Sequence, residues 1–94
     1  MASYIEVEVS DFLRLMKSFL DREVDAKSYC SRYFDLMTQR MTVTREVSTI
    51  LQIGFGDADD YDPDLRLEHT ILEPELRCRV ANTISELEAL GYTG

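Results

Sequence analysis

The sequence predicts an all-α protein, a small antiparallel bundle of four helices. Three observations favour this class: apolar residues recur at three- and four-residue steps in four segments, the connections between the segments are short, and no segment alternates convincingly like a strand. The 94 residues, 45% of them apolar, fit one helical domain spanning 1–94. Within it, residues 1–9 are expected to be an extended lead-in or the frayed start of the first helix.

The first two helices are predicted from their apolar stripes and from polar residues at their starts. The first should begin at Ser10, with Ser10 or Asp11 as its cap, and the second should follow a cap at Asp25. The second stripe keeps one face over more than four turns. The stripe residues are Phe12, Leu15, Met16, Phe19 and Leu20 in the first helix, and Ala26, Tyr29, Cys30, Tyr33, Phe34, Met37 and Met41 in the second.

The last two helices show the same period. The third is predicted to open at Thr44, although Gly54 and Gly56 each weaken it by about 1 kcal/mol relative to alanine. The fourth should start near Pro74, which suits a first helical position, and stop at Gly91. The residues expected to point inward are Val47, Ile50, Leu51, Phe55 and Ala58 in the third helix, and Leu76, Val80, Ile84, Leu87 and Leu90 in the fourth.

The charge of the chain excludes several classes of function. Ten Lys and Arg residues against eighteen Asp and Glu residues give a net charge of −8, which disfavours direct binding to nucleic acid or to an anionic membrane surface. No apolar run approaches a membrane span, and the first residues do not resemble a signal peptide, so we expect a cytoplasmic protein.

Cys30 and Cys78 are then expected to be free thiols, with Cys30 buried. His69 is the single histidine, so no zinc site and no cofactor are predicted.

An acidic segment at 57–64 interrupts this regular pattern. It holds five aspartates in eight residues, and without them the net charge would be −3 instead of −8. We expect it to be a loop that follows the C-terminal end of the third helix, where the helix dipole already disfavours negative charge. Tyr61 and Pro63 would stiffen this loop. A segment that breaks local rules is a candidate functional site, although many charge runs only aid solubility.

Three chemical roles for the acidic segment can be compared. As a calcium loop it fails, because registers starting at Asp57 or Asp60 place Asp62 or Leu65 where glycine should make the turn, which leaves only a loose divalent-ion site. Catalysis is disfavoured because no histidine partner or activated nucleophile accompanies the carboxylates. The third role is binding a basic protein groove, where aspartates pair with the Lys and Arg residues that otherwise hold nucleic-acid phosphates. This role makes the chain a binding protein, not an enzyme.

Three stretches of the chain resemble the colicin D immunity protein family. Residues 19–33 are similar to its first helix-turn-helix, residues 58–64 to its acidic segment around a proline, and residues 75–80 to the start of its last helix. The resemblance extends from about residue 10 to residue 90, and its acidic segment is the most specific part. The family also accompanies contact-dependent inhibition toxins, so the delivery system stays open.

The resemblance implies a four-helix bundle that binds and inhibits a cognate tRNA-cleaving ribonuclease toxin domain. Acidic residues of the family occupy the basic active-site cleft and imitate RNA phosphates. By position, the matching carboxylates are Asp59, Asp62 and Asp64, and Tyr61 matches an aromatic that either packs the turn or joins the interface. Local charge density adds three further candidates, Asp57, Asp60 and Glu68. The alternative is an acidic helical adaptor for another basic protein or, less favoured, a divalent-ion module.

Overall fold

Four helices form the protein, and they pack in a ring. The computed structural model describes residues 8–39, 42–62 and 70–93. The helices are α1 (Val9–Leu20), α2 (Ala26–Met37), α3 (Arg45–Asp60) and α4 (Glu73–Ala89). Both α1 and α3 pack against α2 and α4, which encloses one shared core and confirms the predicted four-helix bundle. No helix within the described residues combines the length and the apolar character that crossing a bilayer requires.

The start of α1 differs from the prediction. Glu8 is the N-cap, and its backbone N–H donates to the Asp11 carboxylate at 2.9 Å. The expectation that Ser10 or Asp11 occupies the cap is therefore wrong, because both lie inside the helix. Asp11 still satisfies an otherwise unpaired backbone donor, from the third helical position. Residues 1–7 of the expected lead-in lie outside the described residues.

The predicted starts of α2 and α3 are confirmed, and a side chain caps each of them. The Asp25 carboxylate accepts the Ser28 N–H at 2.7 Å, and the Thr44 hydroxyl accepts the Val47 N–H at 3.3 Å. Hydrogen bonds from Ser28, first from its backbone, hold the pKa of Asp25 below its usual value. Each cap satisfies a backbone donor that the first turn of a helix leaves without a partner.

The ends of the helices match the prediction in part. α2 ends at Met37, with Thr38 as its C-cap, so the prediction of one face over more than four turns is wrong; Met41, the last residue of that stripe, lies outside the described residues. Pro74 lies in the first turn of α4, as predicted. Gly91 has a φ of 96° just after α4, so the predicted stop is confirmed at a backbone conformation that glycine adopts without strain.

Four aromatic side chains form the centre of the core between α1 and α2. Phe12 meets Tyr33 edge-on with ring centroids 5.2 Å apart, and Phe19 stacks on Tyr29 at 4.5 Å. Tyr29 also contacts Tyr33 at 5.8 Å, and all four residues are at most 1% exposed. Because the start of α1 pairs with the end of α2, and the end of α1 with the start of α2, these helices run antiparallel as predicted.

Tyr33 connects this aromatic cluster to α3. Its hydroxyl donates to the backbone carbonyl of Leu51 at 2.7 Å, which gives the buried phenol a partner, and burial raises its pKa. The contact requires a glycine, since a Cβ at Gly54 would lie 2.4 Å from the Tyr33 hydroxyl oxygen. Gly54, which weakens the helix locally, thus permits α2 and α3 to approach each other closely.

Most of the predicted inward positions are buried or packed against the core. The predictions for Phe55 and Leu90 are wrong, because their side chains are 39% and 40% exposed. Leu90 is the C-cap residue of α4, and Phe55 lies against Phe34 at the outer edge between α2 and α3. A helical period alone does not distinguish the core from such an edge. Cys30 is buried with its pKa raised to about 11, and both cysteines are free, as predicted.

Arg77 joins α4 to the C-terminal end of α1. Its guanidinium donates to the Phe19 carbonyl at 2.7 Å and to the Glu73 carboxylate at 3.1 Å. It also lies over the Phe19 ring, 4.3 Å from the centroid. One side chain therefore satisfies a terminal helix carbonyl and covers the aromatic core.

We predict opposite effects for alanine at the two glycines of α3. Gly54→Ala should lower the free energy of unfolding by about 1–2 kcal/mol, because the new methyl group displaces the buried Tyr33 ring and this outweighs the gain in helix propensity. Gly56→Ala, with no neighbour within 4 Å, should raise it by about 0.5–1 kcal/mol. Urea denaturation measures both. Equal effects at the two positions would contradict the close approach.

Arg77→Met should lower the free energy of unfolding by about 1–2 kcal/mol, because the Phe19 carbonyl loses its charged donor. Arg14→Met is the matched control: the Arg14 side chain is 62% exposed and pairs with Asp11 on its own helix, so its loss should cost about 0.5 kcal/mol or less. The same denaturation experiment compares the two variants. A loss at Arg14 as large as that at Arg77 would contradict the special role of the α1–α4 contact.

Candidate functional site

The first half of the acidic segment is helical. α3 continues through Asp60, so Asp57, Asp59 and Asp60 lie in its last turn and not in the loop that the sequence predicted. Ala58, between them, is only 2% exposed and packs into the core. Burial of this face stabilises the last turn despite the glycines and the unfavourable charge at the negative end of the helix dipole.

Arg79 of α4 binds the carboxylates on one side of this turn. Its guanidinium lies 3.1 Å from the Asp57 carboxylate and 3.5 Å from that of Asp60. A second nitrogen of the same group lies 3.0 Å from Glu75, one turn earlier on α4. Three carboxylates thus share one cation, so part of the acidic charge is neutralised within the chain.

Asp57 is the most enclosed of these three partners. Its side chain is 15% exposed, against 32% for Asp60 and 56% for Glu75. Burial raises the pKa of Asp57, and the hydrogen bond from Arg79 opposes this without overcoming it. The Asp57 carboxylate therefore contributes to holding α3 on α4 and is poorly placed to meet an outside partner.

Asp62 and Tyr61 anchor the chain where it leaves α3. The Asp62 N–H donates to the Ile71 carbonyl at 3.1 Å, and the Ile71 N–H donates to the Asp60 carbonyl at 2.9 Å. This forms an isolated parallel bridge between Tyr61 and Ile71. Asp62 is only 8% exposed, whereas Tyr61 is partly buried against the core, which raises its pKa. Both residues help to fix the path of the segment.

Asp59 is the exposed carboxylate of the last turn. It points away from the side that Arg79 binds, and within the described ranges it forms no ion pair. Asp64 and Glu68, which belong to the same predicted site, lie outside the described residues, as does Pro63 of the predicted loop. The structure therefore separates the described candidates into the exposed Asp59, the Arg79-bound Asp57 and Asp60, and the enclosed Asp62 with Tyr61.

Two features of this surface have no counterpart in the sequence prediction. Arg79 follows Glu75 by four residues, a spacing that favours an ion pair between them on one face of α4. The contact of Arg79 with α3, however, depends on how the two helices pack. The other feature is the aromatic pair of Phe34 and Phe55, with ring centroids 5.0 Å apart at the α2–α3 edge. The exposure of Phe55 follows from its position on α3, which the apolar period misassigned.

The arrangement suits electrostatic binding. Carboxylates on a rigid helix end present negative charge in a fixed geometry, which favours a cationic partner surface. Within residues 8–39, 42–62 and 70–93, no three His, Cys, Asp or Glu side chains converge to hold a metal ion.

Comparison with known proteins identifies the family. No curated protein and no solved structure is significantly similar to this chain. The family model described as bacterial self-protective colicin-like immunity matches residues 7–87, which include all of α1, α2 and α3 and most of α4. The chain therefore belongs to the bacterial colicin-like immunity family.

Proposed function

We propose that this chain is an immunity protein that binds and inhibits a cognate tRNA-cleaving ribonuclease toxin domain in the cytoplasm of the bacterium that makes the toxin. The acidic end of α3 and the segment after it would occupy the basic RNA-binding cleft of the toxin. The carboxylates would take the place of RNA phosphates and block access of the substrate.

Family membership is the observation that carries the proposal. A colicin-like immunity family implies a cognate toxin as the partner, and such families generally act by binding and not by catalysis. The finer claims, a basic ribonuclease and phosphate mimicry, rest on the charge of the chain and on the resemblance of residues 58–64 to the colicin D immunity family.

The geometry at the end of α3 supports a basic partner. Asp59 is exposed there, and Asp60 is partly exposed although it lies near Arg79. A carboxylate carries two oxygens and about four acceptor positions, so Asp60 can face Arg79 and an outside cation together. The helix dipole adds negative potential at this end. A groove rich in Lys and Arg is the complementary surface.

Arg79 has a structural part in this proposal. It holds Asp60 at 3.5 Å, so that this partly exposed carboxylate does not rotate freely before the toxin arrives. A fixed array avoids the entropic cost of ordering side chains on binding. The same cation reduces the repulsion that the aspartates of this turn would otherwise exert on one another.

The proposed function predicts protection of tRNA. The purified chain is mixed with the ribonuclease toxin domain encoded beside its gene, and cleavage of total tRNA is followed on a gel at low and high salt. We expect protection at one chain per toxin domain, weakening as salt rises because screening reduces the attraction between the two charged surfaces. An unrelated basic ribonuclease serves as the control and should stay active.

Three outcomes would count against the proposal. Cleavage that continues with saturating chain would overturn the proposed function. Binding of the toxin domain without protection would favour the acidic adaptor, and inhibition of the control ribonuclease to the same degree would indicate non-specific attraction between opposite charges.

A further inference from the structure

Phe55 and Asp59 form an exposed pair on α3 that the phosphate-mimicry proposal does not explain. They are four residues apart, so their side chains are neighbours on one face of the helix. Phe55 is 39% exposed and Asp59 is exposed as well. Phe34 of α2 packs against the Phe55 ring at 5.0 Å and fixes its position at the α2–α3 edge.

We infer that Phe55 and Asp59 together bind an arginine side chain of the toxin domain, an inference that rests on the proposed function. The guanidinium would stack on the exposed part of the Phe55 ring and donate to the Asp59 carboxylate. Arginine suits this pair better than lysine, because its planar group stacks on aromatic rings and offers two parallel donors to a carboxylate.

The chemistry of the two side chains supports this occupant. Water solvates the carboxylate but not the ring, and a purely apolar partner covers the ring but leaves the carboxylate without a donor. A guanidinium contacts both groups favourably. Within the described part of the chain, Asp59 has no cation of its own, unlike Asp57 and Asp60 beside Arg79. An external cation is therefore the complementary group.

The same combination of groups occurs inside this protein. Arg77 lies over the Phe19 ring at 4.3 Å while its Nε donates to the Glu73 carboxylate at 3.1 Å. One guanidinium can thus contact a ring and a carboxylate together, here with the ring on α1 and the carboxylate on α4. Phe55 and Asp59 supply the ring and the carboxylate, and the toxin would supply the guanidinium.

Calorimetric titration of the full chain with the toxin domain encoded beside its gene tests the inference through single variants. Asp59→Asn should weaken binding by about 10- to 100-fold, as expected for losing a charge-assisted pair. Phe55→Leu keeps apolar bulk but removes the ring, and should weaken binding by about two- to fivefold. Because both groups hold the same arginine, the double variant should lose less than the product of the single losses.

Matched controls separate this site from general effects of charge and apolar area. Glu86→Gln removes one exposed acidic charge from α4, and Leu90→Ala removes apolar area from a 40% exposed residue at the C-terminal end of α4. Both should bind within about twofold of wild type, since neither changes the proposed site. Asp59→Asn should not lower the thermal unfolding temperature, because it removes a charge that the helix dipole disfavours.

The outcomes distinguish this inference from the function on which it rests. If the wild-type chain binds and inhibits the toxin while both single variants keep wild-type affinity, the arginine site is overturned and the proposed function stands. Wild-type affinity for Phe55→Leu with a loss only in Phe55→Ala would replace stacking by a simple apolar contact and overturn the site as proposed. Failure of the wild-type chain to bind would overturn both.

Discussion

The contact between Tyr33 and α3 is the constraint on which the geometry of the acidic site depends. The Tyr33 hydroxyl reaches the Leu51 carbonyl at 2.7 Å, across a surface that only glycine at position 54 leaves open. The ring of Tyr33 is itself held by Phe12 and Tyr29. The aromatic cluster of α1 and α2 therefore fixes the position of α3. The position of α3 in turn sets the direction in which its acidic last turn points.

The fold places chemically similar aspartates in different environments. Asp57 and Asp60 approach Arg79 of α4, Asp62 is enclosed beside the bridge between Tyr61 and Ile71, and Asp59 is left on the exposed side. Part of the charge in this segment thus stabilises the junction of α3 and α4, where unpaired carboxylates would repel one another. The carboxylates that stay exposed are available to a partner. The same end of α3 is therefore held in place by α4 and still offers a binding surface.

The sequence predicts the helices well because each has a clear apolar stripe and most have recognisable ends. Asp25, Thr44 and Gly91 act as predicted, since capping and helix termination are local properties. The sequence does not predict that α3 extends through Asp60, because local propensity and charge disfavour a helix there, whereas burial of Ala58 in the folded protein stabilises it.

The site is less predictable than the fold for a related reason. An aspartate count identifies a charged segment, but only tertiary packing decides that Arg79 binds Asp57 and Asp60 and leaves Asp59 exposed. The pairing of Phe34 with Phe55 likewise joins two helices across a long separation in sequence.

Chemical-shift mapping shows directly whether the toxin docks on the C-terminal half of α3, as proposed. The isotopically labelled chain is titrated with a catalytically inactive toxin domain, and changes are recorded at each backbone amide. We expect the largest changes between Gln52 and Asp62 and at Phe34. The groove between α1 and α2, lined by Arg14, Leu15 and Arg32 among others, should change little. Changes centred on that groove, with the end of α3 unaffected, would show that the toxin docks on α1 and α2 and not on α3.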